Sequence, residues 1–275
     1  MIPAAFSYQR ADSADAALAA LAEHGDDAKL LAGGHSLLPL MKLRLASPEV
    51  LVDVGRLSDL SYVRHDGDTV AVGALTTHHD VHGSSVLREQ VPILAHVAGQ
   101  VGDPQVRHRG TIGGSIAHAD PASDLPAVVL ALGGSFLVRS QARGEREIPA
   151  SEFFTGFLES AMEPDELLVE VRVPAVPGAG WSFQKFNRRA LDWAIVGVAA
   201  VSRNGSSGVG LVNMGSTPLL ASGVTDALGQ GASVADAAEH AVDGAEPQAD
   251  MNATVEYRTH LAKVLVRRAL EEAGG

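Results

Sequence analysis

Twice along this chain an apolar or small residue runs into a pair of glycines and then a serine: Ala32-Gly33-Gly34-His35-Ser36, and Thr111-Ile112-Gly113-Gly114-Ser115. This pattern limits the fold more than any other feature, because a Gly-Gly turn lets another backbone or a ligand approach closer than any Cβ would allow. At the first pair, a short strand expected over Ala28–Leu31 ends at the glycines and an apolar run from Ser36 to Leu45 follows. Ser36 as N-cap places Pro39 in the first helical turn, where a missing N–H is no loss. The free N–H groups and positive dipole end of such a helix suit a phosphate or pyrophosphate, and Ser36 adds a hydroxyl donor. An ordinary glycine-rich turn fits the same residues. Two such loops, each with its serine, would hold the two phosphates of one dinucleotide from opposite sides. Neither matches G-x-G-x-x-G or the P-loop pattern, which argues against a doubly wound NAD fold.

The surrounding pattern is α+β with mixed strands, in about three units. Ser13–Ala22 reads as an Ala/Leu helix stopped at Gly25, and Val50–Val54 as a buried strand, closing a β-α-β-like first unit. In the second unit a strand is expected at Thr69–Ala74, with Thr77 capping the helix that follows. A further helix is expected at Pro92–Val101, then a long Gly/His/Asp-rich loop over Asp103–Pro121. Asp120-Pro121 reads as cap and first residue of a helix Ala122–Leu132. Strands at Ser135–Arg139 and Glu166–Val173 follow, with Phe153-Phe154 on a turn between them. Pro174–Gly180 reads as a linker. Beyond it lie strands near Ser182–Asn187, Ile195–Ser202 and Gly208–Met214, and helices at Gly223–Leu228, Val234–Ala241 and Ala253–Ala273. The expected division is 1–58, 59–176 and 177–275.

Composition removes several function classes. With 46% hydrophobic and 20% charged residues the chain can build a core and is not disordered. A net charge of −12 and no Lys/Arg-rich run argue against nucleic-acid binding. The absence of cysteine excludes disulfides, thiolate iron–sulfur ligation and a cysteine nucleophile in this chain. The opening Met1–Phe6 lacks the pattern of a signal peptide, and the longest apolar runs fall short of the ~20 residues a membrane span needs. A soluble, cytoplasmic protein is expected.

Other candidate clusters carry two readings each. His78 and His82 share a helix face at i, i+4 and could ligate a metal, or simply belong to a solvated helix start; with no further ligand cluster nearby, no metal site is expected. His35 and His118 either brace the loop backbone or touch a cofactor. Asp120 and Asp124 could be an acid/base pair, but at a helix start they act more simply as cap and dipole partner. The Arg188-Arg189 and Arg267-Arg268 doublets read as solvated surface or as contacts to an acidic partner.

The strings AGGHSLLPLMKLRLASPEVLVDV (32–54), GDPQVRHRGTIGGSIAHADPASDLPAVVLAL (102–132) and EYRTHLAKVLVRRAL (256–270) resemble one family. It is the FAD-binding medium subunit of molybdenum hydroxylases, the group that includes aerobic carbon monoxide dehydrogenase and xanthine dehydrogenase. The resemblance implies the FAD-binding fold of the vanillyl-alcohol oxidase type, two N-terminal subdomains plus a C-terminal α+β domain, with non-covalent FAD between them. Ala32, Gly33, Gly34, His35 and Ser36 and the stretch Thr111, Ile112, Gly113, Gly114 and Ser115 would wrap the pyrophosphate through backbone N–H groups and serines. Asp124 would meet the ribityl or phosphate region, Lys185 the isoalloxazine, and Trp193 the ring's surroundings. Ser115 stands where many relatives have Asn, and Trp193 where Tyr is expected. The implied partners are a large subunit with the molybdenum cofactor and a small subunit with [2Fe-2S] clusters, assembled as a dimer of heterotrimers. Electrons would pass from the clusters through FAD to an external acceptor, with no catalytic acid or base in this chain. The rival readings are a scaffold that has lost its flavin and a free-standing flavin oxidase.

Overall fold

The structure, a computed structural model, describes residues 2–203 and 205–274. Its first layer is a three-stranded parallel sheet ordered Ser7–Arg10, Val50–Asp53, Ala28–Leu31. Parallel strands need long crossovers, and the helix Ala14–His24 supplies the one between the two outer strands. Ser13 Oγ accepts from the Ala16 N–H, the glycine at 25 ends the helix with φ +54, and Ala14, Ala17, Leu18 and Leu21 bury one face. The edge strand Ser7–Arg10 was not expected from the sequence. All four of its residues are exposed, so no hydrophobic alternation marks it, and it is held by its ladder and by Tyr8 donating to Asp53.

The second sheet is antiparallel, ordered Val63–Asp66, Thr69–Gly73, Glu166–Pro174, Ser135–Ser140, Gly144–Pro149. The last of these strands is a second surprise. Its row Gly144–Pro149 buries only Ile148, so the signal for a strand is weak. Phe136 and Phe153 pack beneath the sheet with ring centroids 4.4 Å apart. The expected turn at Phe153-Phe154 is instead a boundary, where the short helix Ala150–Phe153 meets a small hairpin, Phe154–Gly156 with Glu159–Ser160.

The third sheet, also antiparallel, runs Gly180–Phe186, Val196–Arg203, Ser206–Val212, Leu219–Leu220. The long helix Val255–Gly274 covers one face with Leu261, Leu265, Val266 and Ala269, spaced at three and four residues as an amphipathic helix requires. The other face receives the helix Asp124–Leu132, whose nine residues are all buried. A helix that is apolar all round has no solvent face to offer, and this one lies in the core that joins the second and third sheets. Contact is at backbone distance: a Cβ on Gly210 would run into the Ala127 carbonyl.

The segment expected to be a loop over Asp103–Pro121 holds two helices, Pro104–Arg107 and Ile112–His118. Asp103 Oδ1 accepts from the Val106 N–H at 2.9 Å with Pro104 at the first helical position. The same Asp-Pro logic fails at 120–121, where Asp120 Oδ1 accepts from the Ala122 N–H in a tight turn and the helix begins only at Asp124. The helix expected over Pro92–Val101 stops at Ala98. Among the described residues, no helix is long and apolar enough to cross a membrane.

Gly210→Ala is expected to lower stability by about 1–3 kcal/mol, read as the urea midpoint. Gly229→Ala, at an exposed helix end with no neighbour within 4 Å of an added Cβ, is the control and should leave the midpoint unchanged or raise it.

Candidate functional site

A cleft of about 880 Å³ opens where the three layers meet. The first glycine loop, the second loop, the start of the Asp124–Leu132 helix, and Lys185 and Trp193 from the third sheet and its connecting loop all line it. Of the residues expected at a cofactor site, Ala32, Gly33, Gly34, His35, Ser36, Thr111, Gly113, Gly114, Ser115, Asp124, Lys185 and Trp193 border this one cavity. Ile112 does not. Its side chain is fully buried in the core behind the loop.

The two loops touch. A Cβ on Gly33 would collide with the Arg109 carbonyl, and the residue after it has φ +79, a conformation open to glycine. Among the described residues, the N–H groups of Gly33, Gly34, His35 and Ser36 donate to no protein acceptor. Ser36 sits at the helix N-cap position but makes no capping bond, so its hydroxyl is also uncommitted.

The second loop differs from expectation. Ile112 N–H donates to Thr76 O, Gly113 N–H to Ala74 O at 2.8 Å, and Ser115 N–H to Thr111 O. Gly114 N–H donates to Thr111 Oγ1 at 3.1 Å. All four donors at the start of this helix are satisfied within the chain, so among this loop's described backbone donors only the Thr111 N–H has no acceptor in the chain. Glycine at 113 serves packing, because a Cβ there would strike Ala74.

Asp124 and Lys185 form an ion pair at 2.6 Å with side chains only 6% and 9% exposed. Lys185 also donates to the Gln100 carbonyl at 3.3 Å. Burial pushes the Asp124 carboxyl up while Lys185 pulls it down. One carboxylate oxygen is used by the lysine; the other, Oδ1, is sealed from solvent and has no partner. Trp193, 59% exposed, stands at the rim in the loop between two strands of the third sheet.

The histidines separate into distinct roles. His35 and His118 line the cleft and make no hydrogen bond to protein among the described residues, which removes the bracing reading. Burial pushes His118 down, with Asp120 opposing. His82 turns away, its Nδ1 3.0 Å from the Ala95 carbonyl, and no group of three potential metal ligands occurs among the described residues. His78 is not part of a solvated helix start. It is 4% exposed, borders the cleft, and is pushed down to about 4, mainly by burial and then by His35. Sequence reasoning missed it because its burial comes from a long-range contact, the bridge between Thr77 and Thr111. Asp120 and Asp124 are each committed elsewhere, one to a turn and one to Lys185, and do not act as a pair.

Comparison with known proteins defines the class. A family described as "FAD binding domain in molybdopterin dehydrogenase" matches residues 4–176, and one described as "CO dehydrogenase flavoprotein C-terminal domain" matches residues 181–273. The chain is 41% identical to the carbon monoxide dehydrogenase medium chain of Hydrogenophaga pseudoflava, over 99% of this chain and 98% of that one. It is 38% identical to the 6-hydroxypseudooxynicotine dehydrogenase complex subunit alpha of Paenarthrobacter nicotinovorans, over 99% and 96%. The carbon monoxide dehydrogenase structure from Hydrogenophaga pseudoflava lacking the Mo-pyranopterin moiety superposes with a TM-score of 0.95 at 41% identity, covering 100% of this chain and 99% of that one. The chain therefore belongs to the FAD-binding medium subunits of the molybdenum hydroxylases and is an oxidoreductase subunit with a FAD-binding domain and an α+β fold.

Two outcomes follow from the buried charges. Lys185→Met strands the Asp124 carboxylate and is expected to cost about 3–5 kcal/mol at pH 7. The deficit should shrink as pH falls, because the carboxyl, pushed up further without its lysine, then takes a proton; urea unfolding of wild type and variant across pH measures it. His78 binds a proton readily only when unfolded, so native stability is present above pH 6.5 and falls as pH drops toward 4. The loss attributable to this residue is roughly 3 kcal/mol, and His78→Asn should flatten that part of the profile.

Proposed function

We propose that this chain is the electron-transfer subunit of a heteromeric molybdenum hydroxylase. Electrons leave a molybdenum centre in a large partner subunit, pass through [2Fe-2S] clusters in a small partner subunit, reach FAD on this chain and go on to an external acceptor. The observation that carries the reading is the cleft lined both by an uncommitted run of backbone donors at Gly33–Ser36 and by the buried Asp124–Lys185 pair.

The residues fit FAD. Gly33, Gly34, His35 and Ser36 offer N–H groups to the pyrophosphate, and the close approach that a Cβ at 33 would block is kept open. Ser36 and Ser115 add hydroxyls, while Thr111, Gly113 and Gly114 shape the opposite wall. Asp124, held in place by Lys185, lies on the wall suited to the ribityl or ring region, and Trp193 and Ala32 border the remaining volume. Bound FAD supplies the redox chemistry; the chain supplies binding, orientation and electrostatics. The lack of cysteine in this chain supports clusters held by a partner. We place the assembly in the cytoplasm as a dimer of heterotrimers.

The test is a visible absorption spectrum of the chain alone and of the chain co-expressed with its genomic neighbours. The expected result is a flavin band, FAD released on denaturation, and iron and molybdenum in the co-purified assembly. A colourless protein in both preparations after FAD addition overturns the reading in favour of a flavin-free scaffold. Substrate oxidation by the purified chain alone would instead show a free-standing oxidase.

A further inference from the structure

The second glycine loop spends the N–H groups of Ile112, Gly113, Gly114 and Ser115 on the chain itself, which leaves the Thr111 N–H and side chains to hold a phosphate on that side. Ser115 is one candidate, and His78 is a second that no motif marks. The His78 backbone N–H is tied to the Gly110 carbonyl at 2.9 Å, which fixes the residue directly under this loop. Its ring packs edge-on to Gly110, where an added Cβ would lie 2.9 Å from Cδ2 and 3.1 Å from Nε2. Nδ1 is sealed from solvent without a partner. Nε2 has no protein partner either, is not among the sealed atoms, and belongs to a side chain bordering the cleft.

The proton on this neutral ring can be placed by elimination. A buried unpaired N–H is rarer in folded proteins than a buried unpaired acceptor, so Nδ1 carries the lone pair and Nε2 the hydrogen. The burial that pushes the ring down to about 4 keeps it neutral in ordinary buffers. A neutral N–H donor at the wall of a cleft gains a charge-assisted bond when an anion arrives.

Resting on the FAD reading above, we infer that His78 Nε2–H donates to the FAD pyrophosphate and stands in for the backbone donors that Ile112–Ser115 keep for the chain. His78 is then a cofactor-binding residue with no part in metal ligation or proton transfer.

The experiment takes the protein in the form that the absorption spectrum finds yellow, strips it of flavin, and titrates it with FAD and with riboflavin, which lacks the phosphates. Flavin fluorescence reports Kd, and circular dichroism confirms the fold. His78→Phe is expected to weaken FAD about tenfold and to leave riboflavin unchanged, while His78→Gln, which keeps an N–H donor, recovers most of the loss. Should the Phe variant not fold, His78→Met carries the same expectation. Unchanged FAD affinity, or equal loss for both ligands, overturns the assignment. Failure of the wild-type protein to bind FAD overturns the cofactor reading beneath it, so the two failures are told apart.

Discussion

The contact on which the site depends is the buried pair between Asp124 and Lys185. Each comes from a different layer: the aspartate from the first residue of an apolar helix, the lysine from the first strand of the third sheet. Taking both charges out of water costs several kcal/mol per ion, and mutual attraction offsets this only when the geometry is good and the remaining lone pairs are satisfied. Here they are not all satisfied. Asp124 Oδ1 has no partner, and burial outweighs the lysine in setting the direction of its titration. Such a pair adds little stability by itself. It survives because the helix behind it is held by other forces, the burial of all of Leu125–Leu132 and the backbone-to-backbone fit at Gly208 and Gly210. Apolar packing thus fixes the position of a strained polar group.

The two glycine loops look alike in sequence and do different things in space. Both place glycine where another backbone passes, Gly33 against Arg109 and Gly113 against Ala74. They differ in the fate of their donors. The second loop is followed by a helix capped by Thr111 and pinned to the Thr76-Thr77 segment, so its N–H groups are used at once. The first loop ends in a serine with helical backbone angles and no capping bond, and its donors stay open. A capped helix start is stable and closed to ligands; an uncapped one lacks that stability but can bind an anion.

What the sequence made legible follows the range of the interactions involved. Helix starts at Ser13 and Thr77, the continuous apolar run of the strand Val196–Arg203, and the glycine loops are local signals and could be read directly. The strands Ser7–Arg10 and Gly144–Pro149 were missed because most of their side chains face water, leaving only backbone pairing to define them. Asp-Pro was ambiguous for a physical reason. The aspartate can cap a helix, as at 103, or close a tight turn, as at 120, and only the residues that follow decide. The expected residues that line the two glycine loops could be named because they sit in motifs. His78 could not, since nothing within ten residues of it predicts that a loop thirty residues later will cover its ring.

Unsatisfied buried atoms locate the site independently of any motif. Folded chains pair nearly all of their buried polar groups, so the exceptions mark places where the fold carries a cost. Among the described residues three side-chain atoms are sealed and unpaired: His78 Nδ1, Asp124 Oδ1 and Arg258 Nε. Two belong to residues that border the cleft. The third lies on the long C-terminal helix, in a guanidinium whose other nitrogens donate to the Ile195 carbonyl and pair with Asp250. Asn213 holds the Ala194 carbonyl beside it at 2.9 Å. These contacts fasten the chain within two residues of Trp193, so even the unpaired atom outside the cleft belongs to the apparatus that sets the cleft's rim. Two of the three sealed, unpaired side-chain atoms among the described residues thus sit at the cavity wall, so part of the cost of building the site is carried by the residues that line it.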